Sequence, residues 1–297
     1  MAPPTHPKPR TRMPNTPSIA ETAAAGRIDR RTRHSRGGLL RLRQAIPDSV
    51  FNSAGLVVPT LLVLVWFIVT GLGLVKPLFL PSPLAIMEEA WRQITTGILL
   101  QDAAVSTYRI LVGWLSAAAL AIPVGILMGN FRLFEGALEP LISTVRYMPV
   151  VALIPLTILW AGIGDEQKIL ILFLGTFFQM ALMVMDNVKT IDINLIRAGQ
   201  TLGFSNTEIL WRIILPAALP AIWDTCRITI GWTWTYLVVA ELVAAQSGLG
   251  RRIMDAQRYL ATDTIIFGTL FIGVLGLLTD YAFKRTGRSL FRWAADR

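Results

Sequence analysis

Long apolar runs alternate with short polar intervals along the chain, and six of the runs are long enough to cross about 30 Å of hydrocarbon. They lie near residues 56–75, 108–129, 141–162, 167–187, 218–243 and 263–283. Each reads as helix, because neither strand length nor two-residue alternation fits. Pro149 and Pro155 interrupt the third. Between the first two runs, Leu80-Pro81-Ser82-Pro83 is an extended break, and residues 84–97 (LAIMEEAWRQITTG) form an amphipathic pattern suited to the outer interface, with Trp91 at headgroup depth.

One polar interval has local structure of its own. Asp192 is placed to N-cap a helix that ends near Leu202, with Gly203 as its left-handed C-cap. Ser205-Asn206-Thr207-Glu208 then has the spacing of a capping box opening a second helix. In that helix Ile209, Leu210, Ile213 and Ile214 share a face, leaving Asn206, Thr207 and Arg212 on the other. Leu215-Pro216 is expected to stop it and start the fifth span. The result is an elbow with an apolar underside and a polar knuckle. Periodicity alone fits an ordinary capped surface helix as well as a docking element.

Composition agrees with a membrane protein: 53% of the 297 residues are hydrophobic, 16% are charged, and the mean hydropathy is +0.54. The single Cys226 excludes an internal disulfide, and both histidines, His6 and His34, precede every apolar run, so no Cys/His metal site is expected within the spans. The net charge of +9 is concentrated in the first 50 residues, where ten Lys/Arg stand against Glu21, Asp29 and Asp48. That reads as a basic tail beside anionic lipid rather than a nucleic-acid face. The tail has the composition of a disordered segment, and a transit peptide shares it. With six spans and basic ends, both termini are expected in the cytoplasm. The cytoplasmic loops then fall near 130–140 and 188–217. Arg251, Arg252 and Arg258 in the last outer loop depart from that rule, either as tolerated charges or as a basic rim for an anionic solute.

The segment IRAGQTLGFSNTEILWRIILPAALP resembles the cytoplasmic signature of membrane subunits of ATP-binding-cassette importers: Glu-Ala-Ala, three residues, Gly, nine residues, Ile, one residue, Leu-Pro. Ala198, Gly203, Ile213, Leu215 and Pro216 match it, whereas Arg197 and Gly199 stand where the pattern has Glu and Ala. FLPSP, AIPVGILMG, MPVVALIPLTILWAGIG and TCRITIGWTWTYLVVAELVAAQSGLGRRI are similar to the branch importing taurine, alkanesulfonates, nitrate or bicarbonate, over about residues 50–283. The resemblance implies an all-α, polytopic membrane protein of the type I importer fold. It implies a tail over 1–48, a six-helix permease domain over 49–285 with a coupling elbow at 190–216, and a cytoplasmic tail over 286–297. Its implied partners are an ATPase dimer engaging Ala198, Gly199, Gly203, Ser205, Glu208, Ile213, Leu215 and Pro216, a periplasmic binding protein, a second permease copy and membrane lipid, but no nucleic acid. The chain has no Gly-x-x-x-x-Gly-Lys-Ser/Thr loop, so ATP and Mg are expected on the ATPase, with no cofactor, metal or catalytic residue here. Organosulfonates lead the implied substrates, ahead of nitrate, nitrite, bicarbonate or another small nutrient, in a bacterial inner membrane.

Ionisable residues within spans are costly and informative. Asp224 and Arg227 fit a local pair, and Asp280 lies near the end of the sixth span. Glu241 fits either a partner such as Arg109 or another cation, or an interfacial carboxylate reaching out. Met148, Pro149 and Pro155 are pathway candidates because prolines free backbone groups that are tolerated at depth beside protein or a wet cavity. Trp232, Trp234 and Glu241 complete the pathway set, although Trp232, Trp234 and Tyr236, at successive steps of two, cannot all face one pore. Gly125-x-x-x-Gly129 fits a close helix approach, a common pattern. A self-sufficient secondary transporter would need no elbow. An intramembrane enzyme would need a catalytic cluster that the spans lack.

Overall fold

Apolar helix dominates the computed structural model, which describes residues 48–294. The basic N-terminal tail, apart from Asp48, lies outside the described residues, as does the end of the C-terminal tail. The chain divides into two units, Met1–Thr60 and Leu61–Arg297. Of the first, the described part is helical. The elements are α1 (Asp48–Gly71), α2 (Pro83–Thr95), α3 (Ile98–Asn130), α4 (Arg132–Arg146), a 3-10 turn (Val150–Leu153), α5 (Ile154–Ala161) and α6 (Asp165–Lys189). There follow α7 (Ile193–Thr201), a single turn α8 (Asn206–Ile209), a π turn (Leu210–Ile214), α9 (Leu215–Ala244), α10 (Leu249–Arg258), α11 (Thr262–Leu290) and a final 3-10 turn (Arg292–Ala294). No strand occurs among the described residues.

Four stretches are long and apolar enough to cross a membrane: Ile98–Asn130, Asp165–Lys189, Asn206–Val243 and Thr262–Leu290. Gly55–Gly71 is a shorter apolar helix. The amphipathic segment forms α2, capped by Ser82, whose Oγ accepts from Ala85 N at 3.2 Å.

The third run is interrupted at Pro149, as expected, and the interruption is a sharp bend. Instead of one helix over 141–162, α4 and the segment Val150–Ala161 meet at 89°. Pro149 lacks an amide donor and disfavours helix at Met148, so the ladder ends there. Pro155 interrupts nothing, because it sits in the first turn of α5, where a missing donor is harmless. The loop expected near 130–140 is instead α4, separated from α3 only by the extended Phe131 (φ −121°, ψ 114°).

The core is built on close contact between α3 and α6. A Cβ on Gly125 would lie 2.7 Å from Val184 Cβ, and one on Gly129 2.7 Å from Val188 Cβ. The Gly-x-x-x-Gly spacing is therefore used as a contact surface. Around this seam, Ala117, Ala121, Met128, Leu172, Met180, Val184 and Leu237 are fully buried.

Candidate functional site

Three features of the larger unit carry polar chemistry, and the first is the elbow. Asp192 Oδ1 accepts from Asn194 N at 2.9 Å, starting α7. The helix ends at Gly203 (φ +80°), a left-handed position that only glycine takes without strain. Gly203 N donates to Gln200 O at 3.0 Å and Phe204 N to Gly199 O at 3.1 Å. The capping box closes from both sides: Ser205 N donates to Glu208 Oε2 at 3.0 Å, and Glu208 N donates to Ser205 Oγ at 3.3 Å.

Ile209 and Ile214 are buried, while Asn206, Thr207 and Arg212 are exposed, as the face pattern predicts. Ala198 is exposed and Gly199 buried. A Cβ at Gly199 would come within 2.5 Å of Ile213 Cδ1, so glycine rather than alanine here lets Ile213 pack against α7. Leu195, Leu202 and Trp211 are exposed beside the knuckle, so the elbow presents apolar as well as polar surface.

Leu215-Pro216 does not stop the second helix. The π turn Leu210–Ile214 leads directly into α9, so Asn206–Ala244 runs as helix throughout. The wide turn immediately precedes Pro216 and absorbs its missing donor and ring, which would disrupt a regular α ladder. The elbow is thus continuous with a span.

The second feature is a cavity of about 400 Å³ at the break in the third run, facing the middles of α6 and α9. Tyr147, Met148 and Pro149 line one side, and Phe178, Gln179 and Tyr236 the other. A Cβ on Gly175 would lie 2.9 Å from Tyr236 Cδ2, so the Tyr236 ring rests on the α6 backbone. Among the described residues Arg146 is the only Lys, Arg, Asp or Glu in the lining. Its Nη2 donates to Tyr147 Oη at 3.0 Å, and its guanidinium carbon lies 4.7 Å from the centre of that ring. The cavity therefore combines one cation, an amide and phenol hydroxyls with apolar walls.

Of the sequence candidates, Met148 and Pro149 are in this lining; Pro155, Trp232, Trp234 and Glu241 are not. Trp234 is buried, and Trp232 is 40% exposed. Of the three aromatics at steps of two, Tyr236 is the one in the lining, whereas Gln179 carries no local sequence signal for such a role because it meets Met148 only through the fold.

The third feature is a buried polar knot where α9 ends. Arg109 Nη1 donates to Glu241 Oε1 and to Ser247 O, each at 2.7 Å, and Arg109 Nη2 donates to Asp165 Oδ1 at 2.6 Å. Glu241 also accepts from Ser106 Oγ and Gly250 N, each at 2.8 Å. Arg109 is 2% exposed and Glu241 0%. Of the two sequence alternatives for Glu241, the structure has the ion pair. Asp102 extends the knot by accepting from Gly248 N at 3.0 Å and Arg252 Nε at 2.6 Å.

The three arginines of the segment after α9 are paired: Arg252 with Asp102, and Arg251 and Arg258 with Asp255. At the opposite end, Arg227 lies 3.4 Å from Asp224 and 3.5 Å from Asp280.

Beside the knot, α2 is held to the start of α11 by Glu89. Burial alone would raise its carboxyl, but bonds from Arg92, Gln93 and Thr264 outweigh that and hold it below the ordinary glutamate value. A depressed folded-state value contributes stability above the unfolded value, lost as pH falls through the folded one. Hydrogen-exchange protection of α2, taken relative to the intrinsic amide rate at each pH, should therefore fall under acid in the wild type. In Glu89→Gln the acid step should be absent.

A family model described as "Binding-protein-dependent transport system inner membrane component" matches residues 121–292. The chain belongs to this family. As an inner-membrane component of a binding-protein-dependent transport system, it is 37% identical to the taurine transport system permease protein TauC of Escherichia coli strain K12, over 89% of this chain and 96% of that protein. It is 35% identical to an aliphatic sulfonates transport permease protein, SsuC, of Bacillus subtilis strain 168, over 80% and 87% of the two chains. Among solved structures, an inward-facing conformation of the MetNI methionine ABC transporter superposes with a TM-score of 0.58 at 23% identity, covering 65% of this chain and 95% of that one. This transport component thus has the all-α, type I importer transmembrane-domain fold.

Proposed function

We propose that this chain is the permease subunit of an ATP-driven importer of small organosulfonates, taurine or alkanesulfonates. It works as a homodimer with two ATPase chains that carry the ATP and Mg and engage Ala198, Gly199, Gly203, Ser205, Glu208, Ile213, Leu215 and Pro216. A periplasmic binding protein docks at the opposite end, and both termini lie in the cytoplasm. The continuity of Asn206–Ala244 supports a lever: displacement of the elbow by ATPase closure travels along one helix to Tyr236 and Glu241.

The cavity at the break carries the substrate reading, because its single ionised side chain is the Arg146 cation and the remaining polar groups are neutral. A sulfonate has one charge and three acceptor oxygens, which a guanidinium, an amide and phenol hydroxyls can meet. The apolar lining suits the alkyl portion, and the sulfonate relatives point the same way. The test is uptake of labelled taurine, an alkanesulfonate, nitrate and bicarbonate by cells with and without this subunit. Sulfonate uptake should depend on it, and Arg146→Gln should lower that uptake about tenfold or more, the size of a lost charge-assisted bond. Dependence of nitrate or bicarbonate uptake alone would overturn the assignment.

A further inference from the structure

The last turns of α11 carry a cluster that the import reading does not use. Lys284, Arg285, Arg288 and Arg292, with Tyr281 and Ser289, line a cavity of about 400 Å³ with no carboxylate in its wall among the described residues. Lys284 is neutralised by Asp280 at 2.7 Å. Arg285, Arg288 and Arg292 are exposed and have no carboxylate within ion-pair distance among the described residues. Three guanidinium groups with no carboxylate partner among the described residues, set around one hollow, call for an anion.

The same helix face says what kind of anion. Leu270, Val274, Leu277 and Tyr281 follow one another at helical spacing and are 51%, 49%, 69% and 61% exposed. They lead directly into Arg285, Arg288 and Arg292. Eleven residues of helix cover about 16 Å, roughly the hydrocarbon depth of one leaflet. An apolar stripe of that length ending in a cationic hollow has the outline of a phospholipid, with acyl chains along the stripe and phosphate among the arginines.

The opposite face fixes the cluster in place. Trp223 Nε1 donates to Phe283 O at 3.0 Å, the Trp223 and Phe283 rings lie 5.0 Å apart, and a Cβ on Gly287 would lie 2.9 Å from Trp223. The end of α11 is thereby fastened to the start of α9, at the end of the bundle that carries the elbow. Trp293, the residue after Arg292, is 66% exposed, as suits an interfacial aromatic.

We propose that this hollow binds the phosphate headgroup of an anionic phospholipid, with its acyl chains along Leu270, Val274 and Leu277. The proposal goes beyond the import reading and holds whatever the transported solute. A cation beside an anionic lipid surface contributes about a fivefold change in partition. Removing three charges in R285Q/R288Q/R292Q should therefore weaken phosphatidylglycerol retention about a hundredfold.

The experiment is native mass spectrometry of the delipidated transporter complex, titrated with phosphatidylglycerol or phosphatidylcholine. Phosphatidylglycerol should bind preferentially, R285K/R288K/R292K should retain it, and glycerol phosphate at equal concentration should fail to displace it. Equal binding of the two lipids, unchanged retention by the glutamine variant, or displacement by glycerol phosphate would overturn the site. Should the glutamine variant not assemble, a photoactivatable phosphatidylglycerol added to the wild-type complex decides. Labelling within 270–293 supports the proposal; labelling confined elsewhere, or crosslinking of this face to an ATPase or a second permease copy, overturns it.

Discussion

Gly203→Val is expected to abolish substrate uptake while leaving the protein in the membrane in near-normal amount. Gly203 has φ +80°, and a left-handed backbone costs an ordinary L-residue about 1–2 kcal/mol, with a β-branched residue at the unfavourable end. No atom lies within 4 Å of where a Cβ would sit, so the damage comes from backbone conformation rather than collision. Valine would push the chain out of the turn and break the bonds from Gly203 N to Gln200 O and from Phe204 N to Gly199 O. The Ser205–Glu208 box would then lose its fixed position against α7. Losing an N-cap costs a helix about 1 kcal/mol, too little to unfold a chain whose long spans are untouched, yet enough to misplace the exposed knuckle. Ser205→Ala should weaken uptake, and Gly203→Asn, which tolerates φ > 0, should restore part of what valine removes. The measurement is uptake together with recovery of an ATPase during purification from the membrane. Full uptake by Gly203→Val at normal expression would remove the elbow from the mechanism.

The elbow was legible because its signals are local: Asp192, Gly203, Ser205 and Glu208 act within four residues of themselves. Hydropathy located the long helices for the same reason, since twenty consecutive apolar residues need no distant partner. What it missed required geometry. Averaging over a window hides a single extended residue such as Phe131, which is neither glycine nor proline. Pro149 marks a break in the third run, but neither the angle of the bend nor the amphipathic helix α4 before it can be read from an average. Pro216 misled in the other direction, because a stop was the local expectation and the wide turn that accommodates the proline leaves no mark in the local pattern. Arg109 was nameable as a partner for Glu241, but Ser106, Asp165 and the amide of Gly250 were not, since they come from α3, α6 and α10 and meet only through the fold.

Arg109→Leu is expected to destabilise the protein more than removing both members of the pair. Glu241 is fully buried, and stripping its cation leaves a charge with only Ser106 Oγ and Gly250 N to hold it. Breaking a buried pair from one side costs about 3–5 kcal/mol, mostly the penalty of the stranded charge, whereas replacing both charges by apolar groups is often close to neutral. In Arg109→Leu/Glu241→Leu the stranded charge is gone, but Gly250 N and Ser247 O lose partners, at about 1–3 kcal/mol for a buried unsatisfied group. The double variant should therefore melt above Arg109→Leu and below the wild type. Uptake should not recover with stability, because the pair ties α3 to the far end of the helix that the elbow moves. Thermal melting of the purified subunit and uptake in cells separate the two effects. A double variant no more stable than the single one would mean that the knot is held by its backbone bonds, with the charges incidental. Full uptake in the double variant would place the moving part of the pathway elsewhere.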